Sequence, residues 1–253
     1  MSFAKCIEIL SRYYQSFLLG IRTTLIVSIS GTLIGLVIGL LVGGVRAIRL
    51  DKTAARSKVI IKKIVDVITK IYIEVFRGTP MMVQAVFIYY LVYTNIIRWD
   101  KMVAAIFVIS INTGAYMAEI VRSGIQAVDV GQNEAARSLG MSSMQTMMDV
   151  ILPQAIRNAF PAIGNELIVN IKDSSVLMII SITELMFQSN SIAGTTYRFT
   201  ETYFVTAAIY LMLTSISSFI LNRIERKLNH TRTSLPQSDT NFNSIGIATA
   251  KGE

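Results

Sequence analysis

Six polar side chains interrupt the most apolar stretches of the sequence and have the chemistry to bind a solute. They are Asn112, Tyr116, Glu119, Asn165, Lys172 and Asp173. The amide, phenol and ammonium groups of this set can donate hydrogen bonds to a carboxylate, and its carboxylates can accept them from an ammonium group. Ionisable groups inside a bilayer are costly and usually face a polar cavity or a partner. These residues therefore predict a polar lining within a membrane protein.

Structural roles are the alternative for the charged members of this set. Glu119 and Arg122 are three residues apart, so on a helix they can form an ion pair near the cytoplasmic face. Lys172 and Asp173 can neutralise other charges or lie among the outer headgroups, because ~19 helical residues, or ~28 Å, separate Lys172 from Pro153. The sequence alone leaves both interpretations open.

The composition indicates a membrane protein. Of 253 residues, 52% are hydrophobic and 16% are charged, and the mean hydropathy is +0.53. A soluble domain carries roughly a quarter charged residues. The net charge of +8 suits cytoplasmic loops beside anionic lipid, so we expect no nucleic-acid partner.

Catalysis is not expected in this chain. Cys6 and His230 are its single cysteine and its single histidine, which excludes a disulfide framework and a Cys/His metal cluster. An intramembrane enzyme would need a nucleophile with its base, or a metal, and neither assembles from these positions. We therefore expect no catalytic residue, no metal and no cofactor site in this chain.

The elements that must position the polar residues are long apolar helices. Residues 23–45 contain no charge, which is long enough to cross ~30 Å of hydrocarbon at ~1.5 Å per residue. The predicted fold class is an all-α polytopic membrane protein with five transmembrane helices, at about residues 20–46, 64–97, 102–122, 153–183 and 202–223. Thr79-Pro80, inside the second of these, can kink that helix or begin a new one.

Basic residues predict the orientation of the five spans. The connection after the first span holds seven Lys and Arg residues against Asp51, and four more follow the last span. The connections after the second and fourth spans are poor in basic residues. Because cytoplasmic loops carry the excess of Lys and Arg, we place the N-terminus outside and the C-terminus inside. The predicted domains are an amphipathic segment 1–17, a transmembrane domain 18–228 and a disordered cytoplasmic tail 229–253.

A stripe of small residues marks one face of the first span. Gly31, Gly35, Gly39 and Gly43 recur at every fourth position. Such a face lets another helix approach closely. The partner is either another helix of the same chain or a second subunit.

The cytoplasmic connection predicts two short helices over residues 129–151, joined at a glycine. Asp129 with Gln132 and Ser142 with Gln145 have the spacing of capping boxes. Gly140 between them is suited to a left-handed helix cap. A short helix with small residues on one face fits a groove of another protein. The alternative is a hairpin that packs against its own bundle.

These residues resemble a known signature. Residues 134–140 with 150–153 are similar to the EAA signature of membrane subunits of bacterial ABC importers, apart from Val150, where that family usually has isoleucine. Residues 76–84, 112–122 and 152–155 resemble the polar amino acid branch, which includes the histidine, glutamine, arginine and cystine permeases. The resemblance covers roughly residues 18–225, with its motifs in the family's order.

The resemblance implies an import pathway for an amino acid in the bacterial inner membrane. An amino acid needs donors for its carboxylate and acceptors for its ammonium group. The resemblance also implies a second permease subunit, identical or homologous, two cytoplasmic ABC ATPase subunits that bind ATP and Mg, and an extracellular solute-binding protein. It assigns coupling to the ATPase to Glu134, Ala135, Ala136, Leu139 and Gly140. This chain has no phosphate-binding G-x-x-x-x-G-K-S/T loop of its own.

A secondary amino acid transporter or channel is the alternative function. Such a protein would also be polytopic with charges in its interior. It would not need the EAA element, and five spans without an internal repeat are unusual for it.

Overall fold

The computed structural model describes residues 3–48 and 55–230. Within these ranges the chain consists of helices and short connections, with no strand, so the predicted all-α class is confirmed. The helices are α1 (Phe3–Arg12), α2 (Tyr14–Ala47), α3 (Arg56–Gly78), α4 (Met81–Asn95), α5 (Lys101–Gln126), α6 (Val130–Ser138), α7 (Ser143–Gln145), α8 (Leu152–Asp173), α9 (Leu185–Thr196) and α10 (Phe199–His230). A π-helical turn, Thr146–Ile151, joins α7 to α8, and a 3₁₀ segment, Ser174–Ile180, follows α8.

Three helices are long and apolar enough to cross a membrane. They are α2, α5 and the part of α10 from Phe199 to Leu228. A fourth span is present if Ser143–Ile180 and Leu185–Thr196, which are bent by 57° relative to each other, count as one broken element. The apolar stretch Met81–Thr94 of α4 is shorter. The chain is therefore polytopic, with three or four candidate spans by length and composition.

Within the predicted span 64–97 the chain divides into two helices, α3 and α4. Thr79 is extended, with φ −121° and ψ 146°, and Pro80 immediately precedes the first turn of α4. Proline has no N–H to continue a helix, and the residue before it avoids helical angles. The side-chain amide of Gln84 donates to the carbonyls of Phe76 and Thr79, each at 2.9 Å. Of the two alternatives for Thr79-Pro80, a new helix start is the correct one.

The glycine stripe of α2 packs against α5. A Cβ added at Gly31 would lie 2.2 Å from Cγ2 of Ile109, and one added at Gly39 would lie 2.3 Å from Cβ of Met117. Gly35 and Gly43 approach α5 in the same way. The helix backbones are in contact along this face, so packing within the chain is the correct interpretation of the stripe.

A buried hydrogen-bond cluster at Asn170 ties α8 to this helix pair. The Nδ2 atom of Asn170 donates to Oγ1 of Thr32 on α2 at 2.7 Å and to Oγ1 of Thr113 on α5 at 3.0 Å. The hydroxyl of Ser28 donates to the Asn170 carbonyl at 2.9 Å. Polar groups in a bilayer interior must be satisfied within the protein. The cluster therefore fixes the register of three helices at one point.

The two ends of the chain differ slightly from the predicted boundaries. The predicted segment 1–17 contains α1, whose Cys6 and Ile9 are buried, and α2 already begins at Tyr14. The last turn of α10 enters the predicted tail 229–253, of which 231–253 lie outside the described residues. Arg49 and Lys52 of the predicted basic connection also lie outside them.

Candidate functional site

The short helix α6 carries the predicted coupling residues. A carboxylate oxygen of Asp129 accepts a hydrogen bond from the Gly131 N–H at 2.6 Å and caps the first turn. The predicted capping box with Gln132 is not formed, because the Gln132 side chain instead accepts from Gln154 at 3.4 Å. Gly140 follows the helix with φ +83°, so the predicted left-handed cap is present. Both ends of α6 are thus defined by local sequence.

The second half of the connection is continuous with a long helix. The predicted capping box of Ser142 and Gln145 is formed, and it begins α7. The helix does not end before Pro153, however, because the π-helical turn passes directly into α8 and Pro153 lies in the first turn of α8, where proline is tolerated. The predicted pair of short helices over 129–151 is therefore one short helix and the beginning of a long one.

One face of α6 packs against the rest of the chain, and its other faces are exposed. Ala136 is only 4% exposed, and α6 packs against the π-helical turn. Glu134 and Ala135 are exposed, and Leu139 is 84% exposed. The structure thus shows that α6 packs against its own bundle through Ala136 and leaves the other predicted coupling residues exposed, and docking to a partner protein stays a prediction.

Glu119 forms ion pairs within the chain. Its carboxylate contacts Arg46 at the end of α2 at 2.5 Å and Arg122, one turn further along α5, at 2.7 Å. The structural alternative for Glu119 and Arg122 is therefore present, with Arg46 as a partner that the sequence does not reveal. The pairs join the ends of α2 and α5 on the side of the bundle that carries α6.

Asn112 also acts within the chain. Its Nδ2 atom donates to Oε1 of Gln84 at 2.9 Å and to the Phe76 carbonyl at 3.2 Å. Together with Gln84, it satisfies polar groups at the break between α3 and α4. Sequence reasoning missed Gln84, although its position in the first turn after Pro80 is a signal for such a role.

A mixed-charge cluster surrounds Tyr116. The Arg77 guanidinium lies over the Tyr116 ring, 5.3 Å from its centroid. Arg77 also lies within electrostatic range of the Glu166 carboxylate on α8, as does Asp173. Arg77 is the penultimate residue of α3, in the stretch 76–84 that resembles the family, but the sequence gives no signal for its contact with Tyr116. The cluster brings together three helices, α3, α5 and α8.

Asn165 and Lys172 lie on a free face of α8. They are seven residues apart, so they share one side of the helix, whereas Glu166 and Asp173 share a side about 100° further round. Asn165 and Lys172 are exposed, and the two carboxylates are half-buried. α8 therefore has an open amide and ammonium face that is flanked by carboxylates.

Lys172 lines a groove of about 470 Å³ between α8 and α10. The remaining lining residues are Ile168, Thr214, Ser215, Ser218, Phe219 and Asn222. The groove runs along α10 from Thr214 to Asn222, within the candidate span Phe199–Leu228. The alternative that Lys172 lies among outer headgroups stays a prediction. Within the described ranges Lys172 forms no ion pair.

Sequence reasoning also missed the buried carboxylate of Glu184, which is 0% exposed. It caps α9 by accepting from the N–H groups of Met186 and Phe187, each at 2.7 Å, and it accepts from the Tyr210 hydroxyl at 3.1 Å. Its position immediately before an apolar helix is the signal of an N-cap. Glu184 thus has a structural role between α9 and α10.

Long apolar helices with polar side chains between them, and a small capped helix at one end of the bundle, indicate a helical membrane protein of the kind that forms transport subunits. Residues 53–230 match the family described as binding-protein-dependent transport system inner membrane component, and the chain belongs to this family. It is a transmembrane subunit of an ABC importer, located in the inner membrane, and the predicted family is thereby confirmed.

Several relatives are similar over most of their length. The glutamine transport system permease protein GlnP of Escherichia coli (strain K12) is 38% identical over 211 residues, which cover 83% of this chain and 91% of that protein. A putative glutamine transport system permease protein GlnP of Rickettsia felis is 33% identical over 222 residues, covering 87% and 98%.

Solved structures share the fold. A crystal structure of an amino acid ABC transporter with histidines has a TM-score of 0.77 at 37% identity, covering 90% of this chain and 99% of that one. An inward-facing structure of the MetNI methionine ABC transporter has a TM-score of 0.69 at 22% identity over 90% of this chain, and at that identity it supports the fold alone.

Proposed function

We propose that this chain and a second permease subunit, identical or homologous, form the pathway of an ATP-driven amino acid importer. Two cytoplasmic ABC ATPase subunits bind ATP and Mg and drive the transport, and an extracellular solute-binding protein delivers the amino acid. The glutamine permeases and the amino acid transporter to which the chain is similar support an amino acid as the solute. The chain itself is not an enzyme.

The observation that carries this proposal is the surface of α6. The helix is capped at both ends, rests on its own bundle through Ala136 and presents Glu134, Ala135 and Leu139 outward. An exposed, rigidly attached helix with a large apolar side chain is suited to a groove of a partner protein. The partner at this end is the ATPase.

The topology that we propose has five spans, with the N-terminus outside and the C-terminus inside. α3 and α4 together form the second span, because Gln84 and Asn112 satisfy carbonyls at the break, as backbone within a bilayer requires. α8 with the 3₁₀ segment forms the fourth. The ends of α2 and α5 that meet through Arg46 and Glu119 then face the cytoplasm together with α6.

Movement of the ATPase subunits reaches the pathway through α8. The chain passes from α6 through Gly140 and α7 into α8 without a break after Ser143. Gly124 on α5 lies so close to α8 that an added Cβ would be 2.7 Å from the Ala155 carbonyl oxygen, which couples the two spans. Displacement of α6 therefore moves α8 as a rigid element and shifts its polar face.

The polar face of α8 is the proposed binding surface for the amino acid. Lys172 would receive the carboxylate, Asn165 would hydrogen-bond the solute, and Glu166 and Asp173 would accept from the ammonium group, with Tyr116 beside them. A lysine without an ion-pair partner is costly within a span unless an anion neutralises it during the transport cycle. Asn112 and Glu119 support this surface from within the chain rather than line it.

Transport assays on the assembled protein test the function. We expect uptake of a labelled amino acid into proteoliposomes only when both permease positions, the ATPase subunits, the loaded solute-binding protein and ATP are present. Uptake through this chain alone, or uptake that persists without ATP, would instead indicate the secondary transporter or channel.

Lys172→Gln tests the pathway. We expect uptake to fall about ten-fold or more, because a hydrogen bond to a charged group is worth ~1.5–3 kcal/mol and every ~1.4 kcal/mol is a factor of ten. The free energy of unfolding in detergent should rise, since the variant removes an unpaired charge from the span. Lys70→Gln, which removes a 65% exposed lysine beside Glu74, is the matched control and should change neither quantity. Uptake by Lys172→Gln equal to that of wild type would exclude this lysine from the pathway.

A further inference from the structure

The corner of the bundle opposite α6 is held together by an ion pair between distant parts of the chain. Nη1 of Arg198, in the turn between α9 and α10, lies 2.8 Å from Oε2 of Glu8 on α1. The hydrogen bond and charge of Arg198 lower the pKa of Glu8 below its usual value, so the carboxylate stays charged to a lower pH than a free glutamate does. The ion pair therefore holds α1 against the start of α10. This end of the molecule is the one that the proposed topology places outside.

Tyr197, next to this ion pair, combines an unfavourable backbone conformation with an exposed ring. Its φ is +55°, and its N–H donates to the Ala193 carbonyl at 2.9 Å, which closes α9. Glycine adopts this left-handed conformation without the steric cost that a bulky side chain incurs. Its side chain is 83% exposed, so packing within the chain does not explain the presence of a tyrosine. Strain of this kind is a reason to look for a function outside the chain.

A polar cleft of about 220 Å³ adjoins Tyr197. It is lined by Glu8, Ile9, Arg12, Tyr13, Thr195, Thr196 and Arg198. Arg12 forms no ion pair in the part of the chain that the structure describes, and its guanidinium lies 5.8 Å from the ring centroid of Tyr13. Arginine and tyrosine are enriched among the residues that carry most of the energy of protein–protein interfaces.

We infer that this corner, formed by Tyr197, Arg12 and the Glu8–Arg198 pair, is a docking site for the extracellular solute-binding protein. The inference rests on the proposed function, which places α1 and the α9–α10 turn outside. The family is described as binding-protein-dependent, and in the proposed topology an extracellular protein reaches this end of the bundle. The chemistry requires a partner surface with an apolar depression for the Tyr197 ring and a carboxylate for the unpaired Arg12. The ion pair pre-organises the site, which lowers the entropic cost of binding.

Tyr197→Gly is the decisive variant, because glycine suits the backbone and only the ring is lost. In the assembled transporter in nanodiscs, we expect the Kd for the loaded solute-binding protein to rise at least ten-fold. Basal ATP hydrolysis and thermal stability should not fall, and saturating binding protein should restore stimulated hydrolysis. Tyr197→Phe should bind as wild type does. Ser181→Gly is the matched control. Ser181 is the other non-glycine residue with positive φ among the described residues, at +62°, and its replacement should leave the Kd unchanged.

A photoreactive benzophenone side chain at position 197 distinguishes the binding protein from lipid. A crosslink to the solute-binding protein would support the inference, whereas crosslinks to phospholipid alone, or an unchanged Kd for Tyr197→Gly, would overturn it. The docking experiments measure binding and not uptake. Failure of the docking site can therefore be distinguished from failure of the proposed transport function. A wild-type assembly that binds the solute-binding protein through Tyr197 but transports nothing on ATP addition contradicts the proposed function and leaves the docking site intact.

Discussion

Replacement of Gly39 by leucine should separate α2 from α5 and remove most of the folded protein. An added Cβ alone would lie 2.3 Å from Cβ of Met117, 2.8 Å from its carbonyl carbon and 2.9 Å from the Ala118 nitrogen. Two of these atoms are backbone, so rotamer changes cannot relieve the contact. Overpacking of a core typically costs ~1–3 kcal/mol, and we expect a loss above that range for a full leucine. The measurement is the yield of monodisperse protein and its thermal unfolding midpoint in detergent.

Gly44→Leu is the matched control for this experiment. Gly44 belongs to the same helix, and a Cβ added there would meet no atom within 4 Å. The control should therefore express and unfold as wild type does. A stable, correctly inserted Gly39→Leu protein would mean that the close approach of α2 and α5 is dispensable.

Gly140→Val should uncouple ATP hydrolysis from uptake. Gly140 has φ +83°, and a left-handed conformation costs an ordinary L-residue about 1–2 kcal/mol, and a β-branched one more. The end of α6 will therefore rearrange, and the highly exposed Leu139 next to it will change direction. We expect uptake per ATP hydrolysed to fall at least ten-fold in proteoliposomes, while the bundle remains inserted and its unfolding midpoint changes little.

Asparagine at the same position separates backbone conformation from side-chain bulk. Asparagine tolerates left-handed angles better than other residues with a side chain, and no atom lies within 4 Å of the position to obstruct it. Gly140→Asn should therefore retain most of the coupling. Equal uptake by Gly140→Val and wild type would show that the turn direction after α6 does not matter for coupling.

Local sequence predicts most of the helices because their signals are local. An uncharged stretch such as 23–45 can only be satisfied in lipid as a helix, and the caps at Gly140 and Ser142 involve residues within one turn. The break before α4 is less determined, because a proline inside an apolar stretch is compatible with a kink and with a new helix. The outcome depends on Gln84 and Asn112, which satisfy the freed carbonyls across the fold.

The roles of individual polar residues are predicted less well, because their partners are distant in sequence. Glu119 meets Arg46, 73 residues away, and Asn112 meets Gln84, 28 residues away. Lys172 faces residues of α10 that follow it by more than 40 positions, from Thr214 to Asn222. Spacing along one helix identifies which residues share a face, but it does not determine what lies opposite them.

The unpaired charge of Lys172 bears on how the resting transporter treats inorganic ions. Within the described ranges no carboxylate lies within ion-pair distance of Lys172, so its ammonium adds positive charge to the face of α8 that we propose as the binding surface. Positive groups that line a pathway oppose the passage of protons and metal cations. With Lys172 in the proposed pathway, we expect the empty transporter to resist leakage of sodium, potassium and protons between import cycles.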